Sequence, residues 1–186
     1  GVGCYIVDNA VEFLYPVVKV RKAEGCNELV FEELSAQFQA GGNFARHLSQ
    51  YEYRKPQVEM LKSVVDACNE DKIAVIEAGT GTGKSLAYLV PAVFWSIKNK
   101  ERVVVSTHTI NLQEQLIEKD IPILRKCCGL DFKSVLVKGR NNYVCLRKVY
   151  NLRSEGGTLI DDKDRQQLND LLDWSTKTQD GSKADL

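Results

Sequence analysis

Three glycines at alternate positions, Gly79, Gly81 and Gly83, run directly into Lys84 and Ser85, with Ala78, Thr80 and Thr82 completing the stretch. Glycine lacks a Cβ, so these positions can take positive φ and turn successive backbone N–H groups inward as an anion-binding nest. A helix starting near Gly83 would add its own unpaired N–H groups and the positive end of its dipole. Lys84 supplies a mobile charge for β and γ phosphates, and the Ser85 hydroxyl is suited to ligate Mg²⁺. These residue types describe a cradle for a nucleoside triphosphate. One position departs from the GxxxxGK[ST] spacing, because Ala78 stands where the first glycine is usual. A glycine-rich turn that happens to precede Lys-Ser is the plainer alternative. Context weighs against it, since the motif requires a strand before it and a helix after it, and both are expected here.

Neighbouring segments add candidates. Upstream, Tyr51-Glu52-Tyr53-Arg54-Lys55-Pro56-Gln57 opens a helix. The Gln57 amide offers an acceptor and two donors, which suits an adenine edge, while a tyrosine or the Arg54 guanidinium can stack on the ring. Arg-x-Pro-Gln is equally how an amphipathic helix begins, and only its place before Lys84 gives it more weight. Downstream, Ser106 and Thr107 end an apolar run, where hydroxyls and backbone N–H groups can grip the phosphates of a polymer. Capping of the next helix by Thr107 or Thr109 accounts for them as well. From Lys133 to Arg153 there are six basic residues, Arg140 among them, and no acidic one, with Tyr143 and Tyr150 interleaved. Such a mixture suits a single-stranded nucleic-acid groove; a solvated basic helix face is the alternative.

The elements that must position these residues follow from periodicity. Ile73–Glu77 has strand character, Leu86–Ile97 is a helix apolar nearly all round with Pro91 expected to kink it, and Arg102–Thr107 reads as a second buried strand. A helix from near Thr109 carries Leu112, Leu116 and Ile117 until Pro122 disturbs it, and a third strand spans Lys133–Val137. The alternation predicts an α/β fold, a parallel sheet with helices on both faces and right-handed crossovers, with sites at the carboxyl ends of strands. Before it, Leu61, Val64, Val65 and Cys68 form one stripe on the helix opened by Pro56. Phe31, Leu34 and Phe38 lie at helical spacing ahead of Gly41-Gly42, and Val11–Arg21 reads as two short strands or an edge strand interrupted at Pro16. His47 lacks neighbouring metal-ligand types and is taken as a surface or packing residue.

Composition sets outer limits. The chain has 186 residues, of which 44% are hydrophobic and 27% charged, with zero net charge. That is ordinary globular material without a global field to attract nucleic acid, so any such site is local. The opening residues lack a basic region and a long apolar core, and no signal peptide or membrane span is expected. Six cysteines, without CxxC spacing, in a chain with a nucleotide loop point to a cytoplasmic setting with free thiols.

Four segments together carry a family resemblance: Tyr-Glu-Tyr-Arg-Lys-Pro-Gln, Glu-Ala-Gly-Thr-Gly-Thr-Gly-Lys-Ser, Val-Val-Val-Ser-Thr-His-Thr-Ile-Asn-Leu-Gln-Glu-Gln-Leu and Lys-Gly-Arg-Asn-Asn-Tyr-Val-Cys. Their order and spacing resemble the amino-terminal part of DinG-type helicases, in the XPD-like group of superfamily 2, over about residues 41–150. The resemblance implies a RecA-like motor that uses ATP and Mg²⁺ to move 5′ to 3′ on single-stranded DNA, with a [4Fe-4S] cluster in an insert of the first motor domain. It places Gln57 on the adenine-recognising glutamine, Gly79–Ser85 on the nucleotide motif, Ser106 and Thr107 on a motif touching the DNA backbone, and Cys145 on the first of four cluster ligands.

The family's further cysteines, its Asp-Glu-x-His motif and its second motor domain have no counterpart here. Leu159-Ile160-Asp161-Asp162 is a poor match for the acidic motif, since only two strongly apolar residues precede the acids and Gly156-Gly157 lies before them. A polar linker and a helix with Leu168, Leu171, Leu172 and Trp174 as its apolar face is the better reading. The expectation is therefore an incomplete first motor domain preceded by a small α+β segment. Residues 1–50 form that N-terminal segment, 51–150 the first part of the ATP-binding domain and 151–186 the start of the insert. The protein is expected to act as a monomer. A truncated nucleotide binder without catalysis, and a P-loop enzyme of another class such as a kinase, are the competing readings.

Overall fold

The structure, a computed structural model, describes residues 5–7, 14–16, 25–155 and 162–183, with side chains over 25–151 and 165–183. The chain divides into two compact units, Gly1–Val135 and Leu136–Leu186.

In the first unit, β1 (Tyr5–Val7) pairs antiparallel with β2 (Leu14–Pro16), Val7 opposite Leu14. Proline cannot donate to a ladder, which fits Pro16 at the end of β2 on a two-stranded sheet with open edges. Helices follow: α1 (Phe31–Ala36), α2 (Asn43–His47), α3 (Lys55–Glu70), α4 (Lys84–Asn99), α5 (Ile110–Gln115) and α6 (Ile121–Cys128). Pro56 lies in the first turn of α3, where its missing N–H would have had no intrahelical partner. Along α3 the predicted stripe turns inward, with Leu61 and Val65 buried and Val64 and Cys68 half-buried. Leu61, Val65 and Cys68 join Leu34, Phe38, Phe44, Val90 and Leu124 in one core, and α3 packs along α4.

Two asparagines fasten the lead-in to the carboxyl ends of these helices. Asn69 of α3 accepts from Leu29 N and donates to Leu29 O, both at 2.8 Å. Asn99 of α4 accepts from Asn27 N at 2.7 Å and donates to Asn27 O at 3.2 Å. Each amide thereby satisfies a backbone donor and acceptor together, as a neighbouring strand would.

The prolines act differently at two places. Helix α4 continues through Pro91, whose side chain is fully buried. Ahead of Pro122, by contrast, Leu116–Asp120 widens into a π-helical turn before α6 resumes. Pro122 cannot donate and its ring crowds the carbonyl four residues back, so the wider turn relieves the clash without ending the helix.

The predicted parallel sheet is not formed among the described residues, whose one sheet is the β1–β2 pair. Residues 73–77, 102–107 and 133–137 run without assigned strand structure. Val75 is 96% exposed, Val135 81% and Val104 74%, although Val104 lies in the run predicted as a buried strand. A strand obtains its ladder from a neighbour laid beside it, and no described segment pairs with these three. The helices did not face this requirement, because their hydrogen bonds close within a few residues.

In the second unit, a 3₁₀ turn (Arg140–Asn142) precedes α7 (Leu146–Glu155), which packs on α8 (Asp162–Ser175). On α8, Leu168, Leu171, Leu172 and Trp174 are half-buried, as the spacing predicted. Tyr143 forms an isolated antiparallel bridge with Ser182, and Val144 N donates to Gly181 O at 3.0 Å. Most of the acidic run Leu159-Ile160-Asp161-Asp162 lies outside the described residues. No helix among the described residues is long and apolar enough to cross a membrane.

Candidate functional site

The glycine loop enters α4 through two left-handed residues, Gly81 with φ of 78° and Gly83 with φ of 80°. A side chain at either would be strained, which explains glycine at both. Thr82 Oγ1 donates to Gly79 O at 2.9 Å and closes the turn. At Gly79 and Gly81 the space a Cβ would occupy is open, with nothing within 4 Å. Lys84, the first residue of α4, folds back so that its Nζ donates to Ala78 O at 2.8 Å and Gly79 O at 2.7 Å. The ammonium thus sits at the loop with two neutral acceptors, and a charged phosphate oxygen would be a stronger partner than either. Left-handed glycines, a helix start and a basic side chain at the loop fit a nucleotide's phosphates.

Two residues from the start of α3 reach the same loop. Gln57, only 4% exposed, donates through Nε2 to Gly83 O at 2.8 Å. Arg54, at the N-cap of α3, donates through Nη1 to Gly81 O, while its Nη2 lies 3.9 Å from Glu52 Oε2. The sequence offers Gln57 for an adenine edge and Arg54 or a tyrosine for stacking; in the structure Gln57 and Arg54 are both bonded to loop carbonyls. Periodicity gave no sign of these contacts, which join residues 26 and 27 positions apart.

Ser85 and Tyr88 lie three residues apart on α4, and the Ser85 side chain influences the Tyr88 hydroxyl. Burial raises the Tyr88 pKa, the nearby Ser85 side chain opposes that rise and the Asp120 carboxylate adds to it. Asp120 is itself buried and accepts from Gln115 Nε2 at 3.3 Å. Sequence reasoning missed Tyr88 and Asp120. Tyr88 was findable, since residues three apart share a helix face; the approach of Asp120 had no local signal.

Ser106 is exposed and Thr107 half-buried, and Thr107 Oγ1 donates to Thr109 O at 3.2 Å. Thr109 caps α5, its Oγ1 accepting from Leu112 N at 3.3 Å, so the capping role left open between two threonines belongs to Thr109.

Within the second unit, Arg140 is exposed on the 3₁₀ turn. Tyr143 is half-buried, and its hydroxyl accepts from Lys138 N at 2.8 Å. Lys138 is buried and donates from Nζ to Ser182 Oγ at 3.1 Å. Cys145 is exposed just before α7, and a backbone N–H from Lys148 lowers its thiol pKa, with Arg147 also contributing. Among the described residues no group of three His, Cys, Asp or Glu is placed to hold a metal ion. They therefore offer one accessible thiol toward an iron–sulfur cluster and no ligand set.

The model of the DEAD/DEAH box helicase family matches residues 54–167. The chain is similar to the ATP-dependent DNA helicase YoaA of Escherichia coli, 36% identical over 147 residues, covering 77% of this chain and 22% of that protein. It is similar to the ATP-dependent helicase DinG of Mycobacterium tuberculosis, 37% identical over 153 residues, covering 72% of this chain and 22% of that protein. It is also similar to the 3′-5′ exonuclease DinG of Bacillus subtilis, 36% identical over 138 residues, covering 73% of this chain and 14% of that protein. The chain thus spans about a fifth or less of these curated relatives.

Proposed function

The chain belongs to the DEAD/DEAH box helicase family, and from that premise we propose that it forms the front part of the first motor domain of an ATP-dependent DNA helicase. The observation that carries this is the loop Gly79–Ser85 at the start of α4, with left-handed Gly81 and Gly83 and with Lys84 at its edge. There Lys84 would meet the β and γ phosphates and Ser85 would ligate Mg²⁺. When bound, the nucleotide supplies the hydrolysis energy; this chain's residues bind and orient it.

In the complete protein the substrate is single-stranded DNA, traversed 5′ to 3′, with Ser106 and Thr107 at its backbone and Arg140 and Tyr143 as further DNA contacts. Residues 73–77, 102–107 and 133–137 become strands of a RecA-like parallel sheet once neighbours lie beside them. Their exposed Val75, Val104 and Val135 support this, since apolar side chains gain by being covered. Cys145 is one ligand of a [4Fe-4S] cluster whose other ligands come from outside the described residues, a reading supported by its exposure and by the DinG-named relatives. The family match extends past α6 into the basic segment, which favours a motor over a kinase.

The test is strand displacement by the complete protein on duplexes with 5′ or 3′ single-stranded tails. Unwinding of the 5′-tailed duplex that requires ATP and disappears with Lys84→Ala is expected. Unwinding that survives Lys84→Ala, or that prefers the 3′ tail, would overturn the loop assignment or the polarity respectively. Purified without oxygen, the protein should carry iron that Cys145→Ser releases; a full iron content in that variant would remove Cys145 from the site.

A further inference from the structure

Arg54 has a role that the adenine-stacking reading did not give it. Its guanidinium donates to Gly81 O, in the middle of the glycine loop, from the N-cap position of α3. Three residues on, Gln57 donates to Gly83 O at 2.8 Å. The peptide bonds of the described residues are trans, so each carbonyl points opposite to the N–H of the residue after it. A donor that holds Gly81 O to one side therefore turns Thr82 N–H to the other, and the bond at Gly83 O does the same for Lys84 N–H. Both are loop N–H groups of the kind that form a phosphate nest. Gly81 needs such a restraint most, because glycine in a loop can flip its peptide at little steric cost. A flipped peptide would present an oxygen to the phosphates in place of a donor.

We propose that Arg54 is a positioning residue for the phosphate loop, holding the Gly81 carbonyl aside so that the Thr82 N–H faces the nucleotide's phosphates. This rests on the nucleotide-binding reading above. The guanidinium acts through the loop peptide and touches neither the adenine nor the reacting phosphate. Its partial tie to Glu52, 3.9 Å away, leaves the other end of the guanidinium free to serve the carbonyl. A neutral donor of adequate length can replace it in part, because the acceptor is a carbonyl and not an anion.

The experiment measures binding of ATP, ADP and adenosine to the complete protein, by competition against a fluorescent ATP analogue, in wild type, Arg54→Ala, Arg54→Lys, Arg54→Gln and Lys84→Ala. Arg54→Ala should weaken ATP and ADP by about tenfold, the worth of one hydrogen bond with a charged partner, and leave adenosine unchanged. Arg54→Lys and Arg54→Gln should recover much of that loss, and the KM for ATP should rise more than kcat falls. Equal weakening of adenosine would show a stacking role and overturn the proposal, as would wild-type ATP affinity in Arg54→Ala. If Arg54→Ala does not fold, the Gln variant decides: ATP affinity near wild type supports the carbonyl contact, and a tenfold loss refutes it. Lys84→Ala separates the two levels of inference. If it binds ATP as wild type does, the nucleotide reading itself fails; if it loses ATP while Arg54→Ala does not, only the role of Arg54 falls.

Discussion

The Gln57 amide fills the space that a side chain at Gly83 would need: a Cβ there would lie 2.2 Å from Gln57 Nε2 and 2.8 Å from its Cδ. The start of α3 and the start of α4 are thus fitted together through the absence of one carbon. The same close approach lets Gln57 donate to the Gly83 carbonyl, so shape and hydrogen bonding select the same pair.

Gly83→Ala should therefore lose stability twice over. A left-handed φ of 80° costs alanine about 1–2 kcal/mol, and the Cβ must also displace the buried Gln57 amide. Pairing it with Gln57→Gly should remove the steric part and leave the backbone part. Urea unfolding of both variants checks this; equal destabilisation with and without Gln57 would show that the close approach carries no energy.

Lys84→Ala should abolish ATP turnover by the complete protein, since the phosphates lose the mobile charge at the loop. Ser85→Ala should instead give a defect that eases as Mg²⁺ is raised. It also removes the influence that lowers the Tyr88 pKa, so Tyr88 ionisation followed by ultraviolet absorbance should move further up. A Ser85→Ala defect indifferent to Mg²⁺ would argue against metal ligation.

Val104 is 74% exposed on its own chain but would be covered in a completed sheet. Val104→Asp should leave the thermal stability of the isolated chain nearly unchanged and destabilise the complete protein by roughly 3 kcal/mol, the scale of burying an unpaired polar group. Similar effects in both settings would count against a sheet completed by further strands.

Burial pushes the Cys128 thiol up to about 11 from an ordinary value of 9.0, with Cys127 beside it adding to the rise. Above pH 9 the unfolded chain releases this proton while the folded chain keeps it, so folding is penalised progressively between pH 9 and pH 11. Below pH 9 both states hold the proton and there is no effect. The wild type should lose urea resistance over that window faster than Cys128→Ala, and parallel curves for the two would refute the assignment.

What the sequence determined by itself was local. Alternating glycines before Lys84 and Ser85, and apolar spacing at Leu61 and Val65 or at Leu168 and Leu171, were legible because a helix and a tight loop close their hydrogen bonds within a few residues. The four ordered segments that resemble DinG-type helicases agree with the family match over residues 54–167. Tertiary structure decided what lies across gaps in the chain. The bonds of Arg54 to Gly81 O and of Gln57 to Gly83 O span 27 and 26 positions and had no sign in the sequence. The choice between Thr107 and Thr109 as cap turned on which hydroxyl met Leu112 N. The segments around Val75, Val104 and Val135 have strand composition and no strand pairing among the described residues, because β-propensity prepares a chain for a ladder but only a neighbour laid alongside can supply its other half.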